Sequence, residues 1–571
     1  MTDAVPCSTV VSYREFLDWH GRMDPMPSLP EILSARIQAV TGVDPELRPA
    51  TKPQFGHYQC NAALRLAADQ GRKPREIAQE IVETLDVDDL CEPLEIAGPG
   101  FINIRLRADV LAETVTGQLA DPLGGIEQVA HPATVVVDYS APNVAKPMHV
   151  GNLRSTIIGD CLVRVLRARG DRVIAQNHIG DWGTQFGMLV EQILVEGIDA
   201  ASLTLDTSVE LYKRAQEHFR TDESFAAAAR ARVVALQSGD DLTRQIWLTL
   251  IDVSKAGFNR AYARLGVLLT DADLAGESMY NPMLDQVTVD LIGTGIATID
   301  AGALCVFLPG DDTPLIVRKS DGGYGYAATD LAAIRYRVNT LHADRIIYVV
   351  GSPQAHHFSQ VFAAARLARW LPDSVDVEHV GFGSVLGADG KMFKTRDGKA
   401  VTLDSLLDSA EEVAVPEVAI AAVKYADLSN SLHKDYVFDV ARMTATTGDT
   451  GPYLQYAHAR VTQILRRAGA DGDLVSDQSA VITSLAEPAE QALALALIRF
   501  PQVVAEVADD LQPHKLCGYL FELATHLSVF YEQCPVLHSD QRPSRLVLCR
   551  ATQKVLASGL DLLGIHAPQS M

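Results

Sequence analysis

The residues best suited to chemistry lie in one segment, Asp138-Tyr-Ser-Ala-Pro-Asn-Val-Ala-Lys-Pro-Met-His-Val-Gly-Asn-Leu-Arg-Ser-Thr156. A short β-branched run, Thr134-Val-Val-Val-Asp138, leads into it, and helical spacing over about 152–169 follows. The free N–H groups and the dipole of a helix start favour an anion there. His149 and Asn152 stand one turn apart, so both side chains can face one phosphate. Gly151, between them, would let a flat ring approach the backbone. Lys146 adds a mobile cation just upstream. A lone His before a Gly is more often a cap or a packing residue, so the whole string carries the weight.

A second segment, Val385-Leu-Gly-Ala-Asp-Gly-Lys-Met-Phe-Lys-Thr-Arg-Asp-Gly398, is Gly-rich and basic. An Asp-Gly turn also makes an ordinary solvated hairpin. Read for function, Lys391 and Lys394 belong to a loop that closes over a polyphosphate, where pre-aimed charge lowers a barrier. In Asp321-Gly-Gly-Tyr-Gly-Tyr-Ala-Ala-Thr-Asp330, Tyr326 and Asp330 are spaced to meet across one helical turn. Near the end, Asp449-Thr-Gly-Pro-Tyr-Leu-Gln-Tyr-Ala-His-Ala-Arg460 opens a helix to about 468. Tyr453 and Tyr456 are near neighbours on it, with Arg460 one turn on. Such a group either stacks on unpaired bases or is aromatic core beside a solvated arginine.

The elements that would hold these residues fall into blocks. Residues 1–26 form an extension, and 27–108 a small α+β domain. There 30–40, 61–68 and 74–85 have helical spacing, and 95–106 reads as a turn followed by one alternating strand. A connecting helix occupies 109–132. Residues 133–405 alternate strands and helices as a Rossmann-type, doubly wound parallel sheet does. Its strands are expected at 134–138, 172–177, 304–308, 315–317 and 345–350, with one helix following Asp330 and another over 357–370. A helical, Ala-rich insertion interrupts it at about 190–265. Residues 406–440 form a helical region, and 441–571 an all-α domain.

The eight cysteines are scattered without zinc spacing, which fits free thiols in a reducing compartment. The start of the chain lacks an apolar signal core, and the apolar runs look shorter than the ~20 residues of a membrane span. A cytoplasmic protein with no membrane partner is expected. The net charge of −23 argues against nucleic acid as the main partner, although a local basic surface would suffice for phosphate contacts.

The segment from Asp138 resembles the phosphate-binding motif of class I aminoacyl-tRNA synthetases, in the form found in arginyl-tRNA synthetases. The family usually has His where this chain has Asn152. Lys391-Met-Phe-Lys-Thr395 resembles the mobile lysine loop of the same family. The resemblance runs from about residue 50 to the C-terminus. It implies arginine–tRNA ligation in two steps, with ATP and Mg2+ as substrate complex and no tightly bound cofactor or structural metal. The implied partners are L-arginine, ATP and tRNA(Arg), for a monomer.

By the same resemblance Lys146, His149, Asn152, Lys391 and Lys394 are catalytic. ATP lies against His149, Gly151, Asn152, His356, His357, Lys391 and Lys394. The arginine pocket takes Asp138, Asn143, His178, Glu277, Tyr326, Asp330 and Gln354, with Asp330 and Glu277 on the guanidinium. A planar guanidinium offers a fixed fork of donors, which paired carboxylates can accept. Tyr453, Tyr456 and Arg460 fall in a string that resembles the family's anticodon-binding domain, the all-α domain at 441–571. A duplicated enzyme with another acceptor, or a non-enzymatic RNA-binding paralogue, would share much of this pattern. Retention of both halves of the site speaks against the latter.

Overall fold

The structure is a computed structural model that describes residues 28–392, 401–470 and 481–571. Helix α1 (Leu29–Thr41) begins at Ser28, whose backbone N–H donates to the Glu31 carboxylate at 2.7 Å in a capping box. Strands β1 (Arg48–Pro49) and β2 (Tyr58–Cys60), helices α2 (Ala62–Gln70) and α3 (Pro74–Thr84), and strands β3 (Glu95–Ala97) and β4 (Phe101–Ile104) follow. The strands form an antiparallel sheet in the order β1-β2-β4-β3. Residues 95–97, expected as a turn, are instead a strand paired with β4 at Ile96↔Ile102. Three residues are too few for a period of two to show. Helix α4 (Ala108–Ala120) leads into the next unit.

That unit is built on β5 (Thr134–Asp138), α5 (Val150–Ala168) and β6 (Arg172–Gln176). Helices α6 (Thr184–Glu196), α7 (Leu205–Thr221), α8 (Glu223–Gln237) and α9 (Asp241–Leu265) follow as the expected helical interruption. Then come α10 (Glu277–Gly293), strands β7 (Ala297–Asp300), β8 (Ala303–Val306) and β9 (Leu315–Arg318), α11 (Tyr326–Asn339), β10 (Arg345–Gly351), α12 (Ala355–Leu367), β11 (Asp376–Phe382) and β12 (Val385–Leu386). The main sheet is parallel, in the order β11-β10-β5-β6.

Strand β5 is central and buried on both faces, which is why it reads as an unbroken β-branched run. Val135 and Val137 face the core made with α5 and the C-terminal helices. Val136 faces a second core made with α10, α11 and α12. The chain leaves β5 toward β6 on one side, while β10 and β11 lie on the other. The crevice at the carboxyl ends of β5 and β10 is therefore the switch point where such sheets bind ligands.

Helix α11 begins at Tyr326, five residues before the start expected after Asp330, so the turn expected to join Tyr326 and Asp330 is its first. The Gly-rich, aromatic run in front of it hid that boundary. Strand β8 ends at Val306, and β7, β8 and β9 form a separate antiparallel sheet.

Helices α13 (Leu403–Glu411) and α14 (Pro416–Leu428) and strand β13 (Tyr436–Val437) connect to α15 (Gly451–Ala470), α16 (Pro488–Ile498), α17 (Phe500–Asp510), α18 (His514–Gln533) and α19 (Arg542–Leu562). By length and composition alone the stretch Pro488–Asp510 would pass for a membrane span, but it is two helices whose uninterrupted apolar runs are short. Half of it is buried in the helical core. Arg154 of α5 and Asp427 of α14, both buried, meet at 2.7 Å and tie the sheet unit to these helices.

Candidate active site

The turn after β5 is strained. Ser140, Ala141 and Ala145 hold φ values of 74°, 46° and 60°, left-handed conformations that cost non-glycine residues about 1–3 kcal/mol each. Hydrogen bonds over-determine the turn. The Ser140 N–H donates to Ser155 Oγ at 2.9 Å, and Ser140 Oγ lies 2.7 Å from the Tyr262 hydroxyl. The Ala141 N–H donates to Asn177 Oδ1 at 3.1 Å, and the Ala145 N–H to Ser254 Oγ at 2.8 Å. Tyr262 and Ser254 both come from α9.

His149 caps α5. Its Nδ1 accepts the Gly151 N–H at 3.0 Å, which leaves Nε2 as the protonated donor of a neutral ring. Burial, and then the charge of Lys146, lower its pKa and keep the ring neutral. Asn152 is turned back onto the backbone. Its Oδ1 accepts the His149 N–H at 3.1 Å, and its Nδ2 donates to the Ser140 carbonyl at 3.2 Å. The sequence reading had both side chains facing one phosphate. In the structure His149 Nε2 is unengaged, while Asn152 braces the turn with its Oδ1 and one of its two amide N–H donors. The role expected of Gly151 also changes. A Cβ there would lie 2.7 Å from the His149 ring, so the glycine makes room for the cap rather than for a ligand.

The chain just beyond the second basic segment is joined by backbone to the first. His149 and Thr402 form an antiparallel bridge, and the Leu403 N–H donates to the Met148 carbonyl at 2.9 Å. The chain emerging from the lysine loop is thus stitched to the phosphate turn. Lys391 is exposed in a tight Asp-Gly turn, with its N–H on Asp389 Oδ1 at 3.1 Å and Gly390 at φ 70°. Lys394 lies outside the described residues. The Lys146 Nζ sits 4.6 Å from the ring centroid of Tyr212 on α7.

On its other side the turn meets residues 177–181. Asn143 bridges Gly180, and Gly180 has room only for hydrogen against Asn143 Oδ1. That strip in turn meets the start of α10, where the Glu277 N–H donates to the Ile179 carbonyl at 3.1 Å. Here carboxylates gather. Buried Asp181 accepts from the Ser278 N–H at 2.8 Å and from Ser278 Oγ at 2.6 Å. Glu277 is pushed up to about 8 by burial, then by the charges of Asp181 and Asp330. Asp330, in the first turn of α11, has His357 Nε2 at 2.6 Å from its Oδ2.

The remaining expected residues spread around this strip. Tyr326 stands 77% exposed at the head of α11, and Gln354 is exposed in a short turn after β10. His178 stacks on Tyr280 with ring centroids 5.5 Å apart. Asp138 is buried, and its Oδ2 is held by the buried Arg337 at 2.6 Å. His357 turns toward the acidic strip, not toward the phosphate turn. His356 faces Thr313 Oγ1 at 3.3 Å and Asp311 at 3.6 Å.

Comparison with known proteins decides the family. The model for the class I (R) tRNA synthetase catalytic domain matches residues 114–418, that for the arginyl tRNA synthetase N-terminal domain 28–106, and that for the DALR anticodon binding domain 454–571. An arginine–tRNA ligase of Cutibacterium acnes is 60% identical over 556 residues, 96% of this chain and 100% of that protein. The chain belongs to the arginyl-tRNA synthetase family. A second relative, from Thermobifida fusca, is 49% identical over 95% of this chain and 99% of its own length. The arginyl-tRNA synthetase structure from Plasmodium falciparum superposes with a TM-score of 0.81 at 28% identity, covering 96% of this chain and 100% of that one. The Thermus thermophilus structure gives 0.77 at 26%, covering 95% and 100%. The N-terminal match begins at 28, so it takes in 28–50, which the motif resemblance had left out.

In this member of the family the residues expected on tRNA separate. Tyr453 packs on Phe521 at 5.7 Å and is half-buried, a core residue. Tyr456 is 44% exposed. Arg460 stacks at 3.8 Å over Tyr531, which is 40% exposed and which the sequence reading missed. Asp181, Arg337, Tyr262 and Ser254 were missed as well. For Asp181 a signal existed, its place in the Gly-rich turn directly after a strand.

Proposed function

We propose that the acidic strip receives the guanidinium of arginine and the adjoining basic turn receives the triphosphate of ATP. The enzyme is an arginine–tRNA ligase, a class I aminoacyl-tRNA synthetase. The observation that carries the site assignment is Glu277. A carboxyl group pushed up to about 8, first by burial and then by two neighbouring carboxylates, calls for a cationic partner. Asp330 and Glu277 accept the planar guanidinium, Tyr326 covers it, and His178 lines the pocket. Asn143 and Gln354 take the amino and carboxyl groups, and Asp138 adds negative charge toward the α-ammonium. Ornithine and lysine lack the fork and would leave buried acceptors unpaired, so selection needs no editing step.

The arginine carboxylate oxygen attacks the α-phosphorus of ATP, which enters with magnesium as its substrate complex. A P–O bond forms, and the bond to the bridging oxygen breaks to release pyrophosphate. His149 donates from Nε2 to phosphate oxygen, Asn152 and Gly151 hold the cap, and Lys146 and Lys391 offset the charge of the leaving group. Lys394 shares that task on its sequence alone, and His356 and His357 flank the nucleotide side. The terminal 2′-hydroxyl of tRNA(Arg) then attacks the arginyl carbonyl and AMP leaves. Positioning and charge do this work, with no covalent enzyme intermediate.

Tyr456 and Arg460 contact the anticodon arm, with Tyr453 behind them. The division into 27–108, 109–132, 133–405, 406–440 and 441–571 assigns tRNA contact to the outer units and chemistry to the middle one. The chain works as a monomer in the cytoplasm.

The test is arginylation of tRNA(Arg) with labelled arginine, beside pyrophosphate exchange with and without tRNA. Charging, with exchange only when tRNA is present, is the expected result. Exchange without charging would point to another acceptor. Silence in both would overturn the reading.

A further inference from the structure

We propose that Tyr212, on the interrupting helix α7, is a positioning residue that holds the Lys146 ammonium ready for the triphosphate. The inference rests on the assignment of Lys146 above. The Lys146 Nζ lies 4.6 Å from the Tyr212 ring centroid, inside the range in which a ring face attracts a cation. A carboxylate would neutralise the lysine and compete with the incoming phosphate. A ring face restrains the ammonium while leaving its full charge available.

The ring is itself fixed. It is half-buried and packs against both the main core and the small core that Met188, Phe225 and Ala229 form within the interrupting helices. The backbone beside the lysine is fixed from the same quarter. Ala145, at φ 60°, gives its N–H to Ser254 Oγ at 2.8 Å, and Ser254 is fully buried on α9. Two consecutive residues of the strained turn are thus gripped by two helices of the interruption, while Tyr262 grips Ser140. Lys146 has four rotatable side-chain bonds, and its freedom is costly to remove during the reaction. Restraining it beforehand transfers that cost from catalysis to folding.

The experiment is pyrophosphate exchange with saturating arginine and tRNA and varied ATP. The variants are Tyr212→Leu, Tyr212→Phe, Lys146→Ala and the double variant Lys146→Ala/Tyr212→Leu. Loss of the ring is expected to lower kcat/KM for ATP by about 2- to 30-fold, with arginine affinity unchanged. Tyr212→Phe keeps the face and should restore near-normal exchange. In the Lys146→Ala background, removing the ring should cost nothing more. Should Tyr212→Leu melt early, Tyr212→Met takes its place. Equal losses from Tyr212→Leu with and without Lys146, or a Phe variant as poor as Leu, would reduce Tyr212 to packing and overturn the inference. Full exchange by Lys146→Ala would overturn the assignment of Lys146 itself, a distinguishable failure.

Discussion

Arginine binding should release a proton and strengthen as pH rises toward 8. Glu277 has its carboxyl pushed from an ordinary 4.5 to about 8, first by burial and then by Asp181 and Asp330. At neutral pH only about one free molecule in ten has it ionised. A guanidinium beside it reverses the balance, because an opposite charge favours the ionised form. The raised group is protonated in the free protein and ionised in the complex. Affinity therefore falls as pH drops below about 8, by nearly tenfold per pH unit. The free protein also loses stability as pH climbs from about 4.5 to about 8, since the folded chain holds a proton that the unfolded chain has lost. Bound arginine removes that penalty. Titration calorimetry between roughly pH 6 and pH 8, in buffers of unlike ionisation heat, reads both affinity and protons released. Glu277→Gln should flatten the pH dependence and weaken binding by about 1.5–3 kcal/mol at the alkaline end. A dissociation constant that stays level across this window, with the same heat in both buffers, would refute the carboxylate-cluster argument.

Asp427→Ala strands the buried Arg154 guanidinium and should cost about 3–5 kcal/mol in urea unfolding; a loss below about 1 kcal/mol would deny the pair its role as interdomain tie. Asn152→Ala removes the reciprocal cap and the tether to Ser140. It should cost about 1–2 kcal/mol and slow pyrophosphate exchange, whereas a stable variant with normal exchange would show the turn stands without it. Tyr456→Ala and Tyr531→Ala should each raise KM for tRNA by about 5- to 100-fold and leave arginine binding alone. Tyr453→Ala should act instead on thermal unfolding, and the reverse pattern would misplace the RNA face.

Much of this architecture is legible locally. Strands β5 and β10 announce themselves as short β-branched runs because both faces of the parallel sheet are buried there. Ser28 and Glu31 mark a helix start because the cap is made within four residues. What the sequence hides is either too short or too distant. The three-residue strand β3 shows no period. The start of α11 is masked by Gly322, Gly323 and Gly325. The partners of the phosphate turn come from far along the chain: Ser254 and Tyr262 from α9, Tyr212 from α7, and Thr402 from beyond the lysine loop. No pattern within a window reports them. The motif resemblance named Asn152 as a phosphate ligand by position. Only the coordinates reveal that its amide faces the backbone.

The backbone bridges also explain how so acidic a chain handles a polyanion. Residues 401–403 pair with 148–150, Asn143 pairs with Gly180, and Ile179 pairs with Glu277. These contacts lay four chain segments side by side along the carboxyl ends of the sheet. Lys146 lies in the segment toward one side of the row, and Asp181, Glu277 and Asp330 gather at the other. Arginine carries its cation at one end and its carboxylate at the other, and ATP is anionic throughout. Seated in the opposite sense, arginine would set its guanidinium beside Lys146, and ATP would meet three carboxylates. In a partly dry cleft such contacts are worth far more than in water. The net charge of −23 thus describes the whole surface, whereas the order of four strips decides which substrate group goes where.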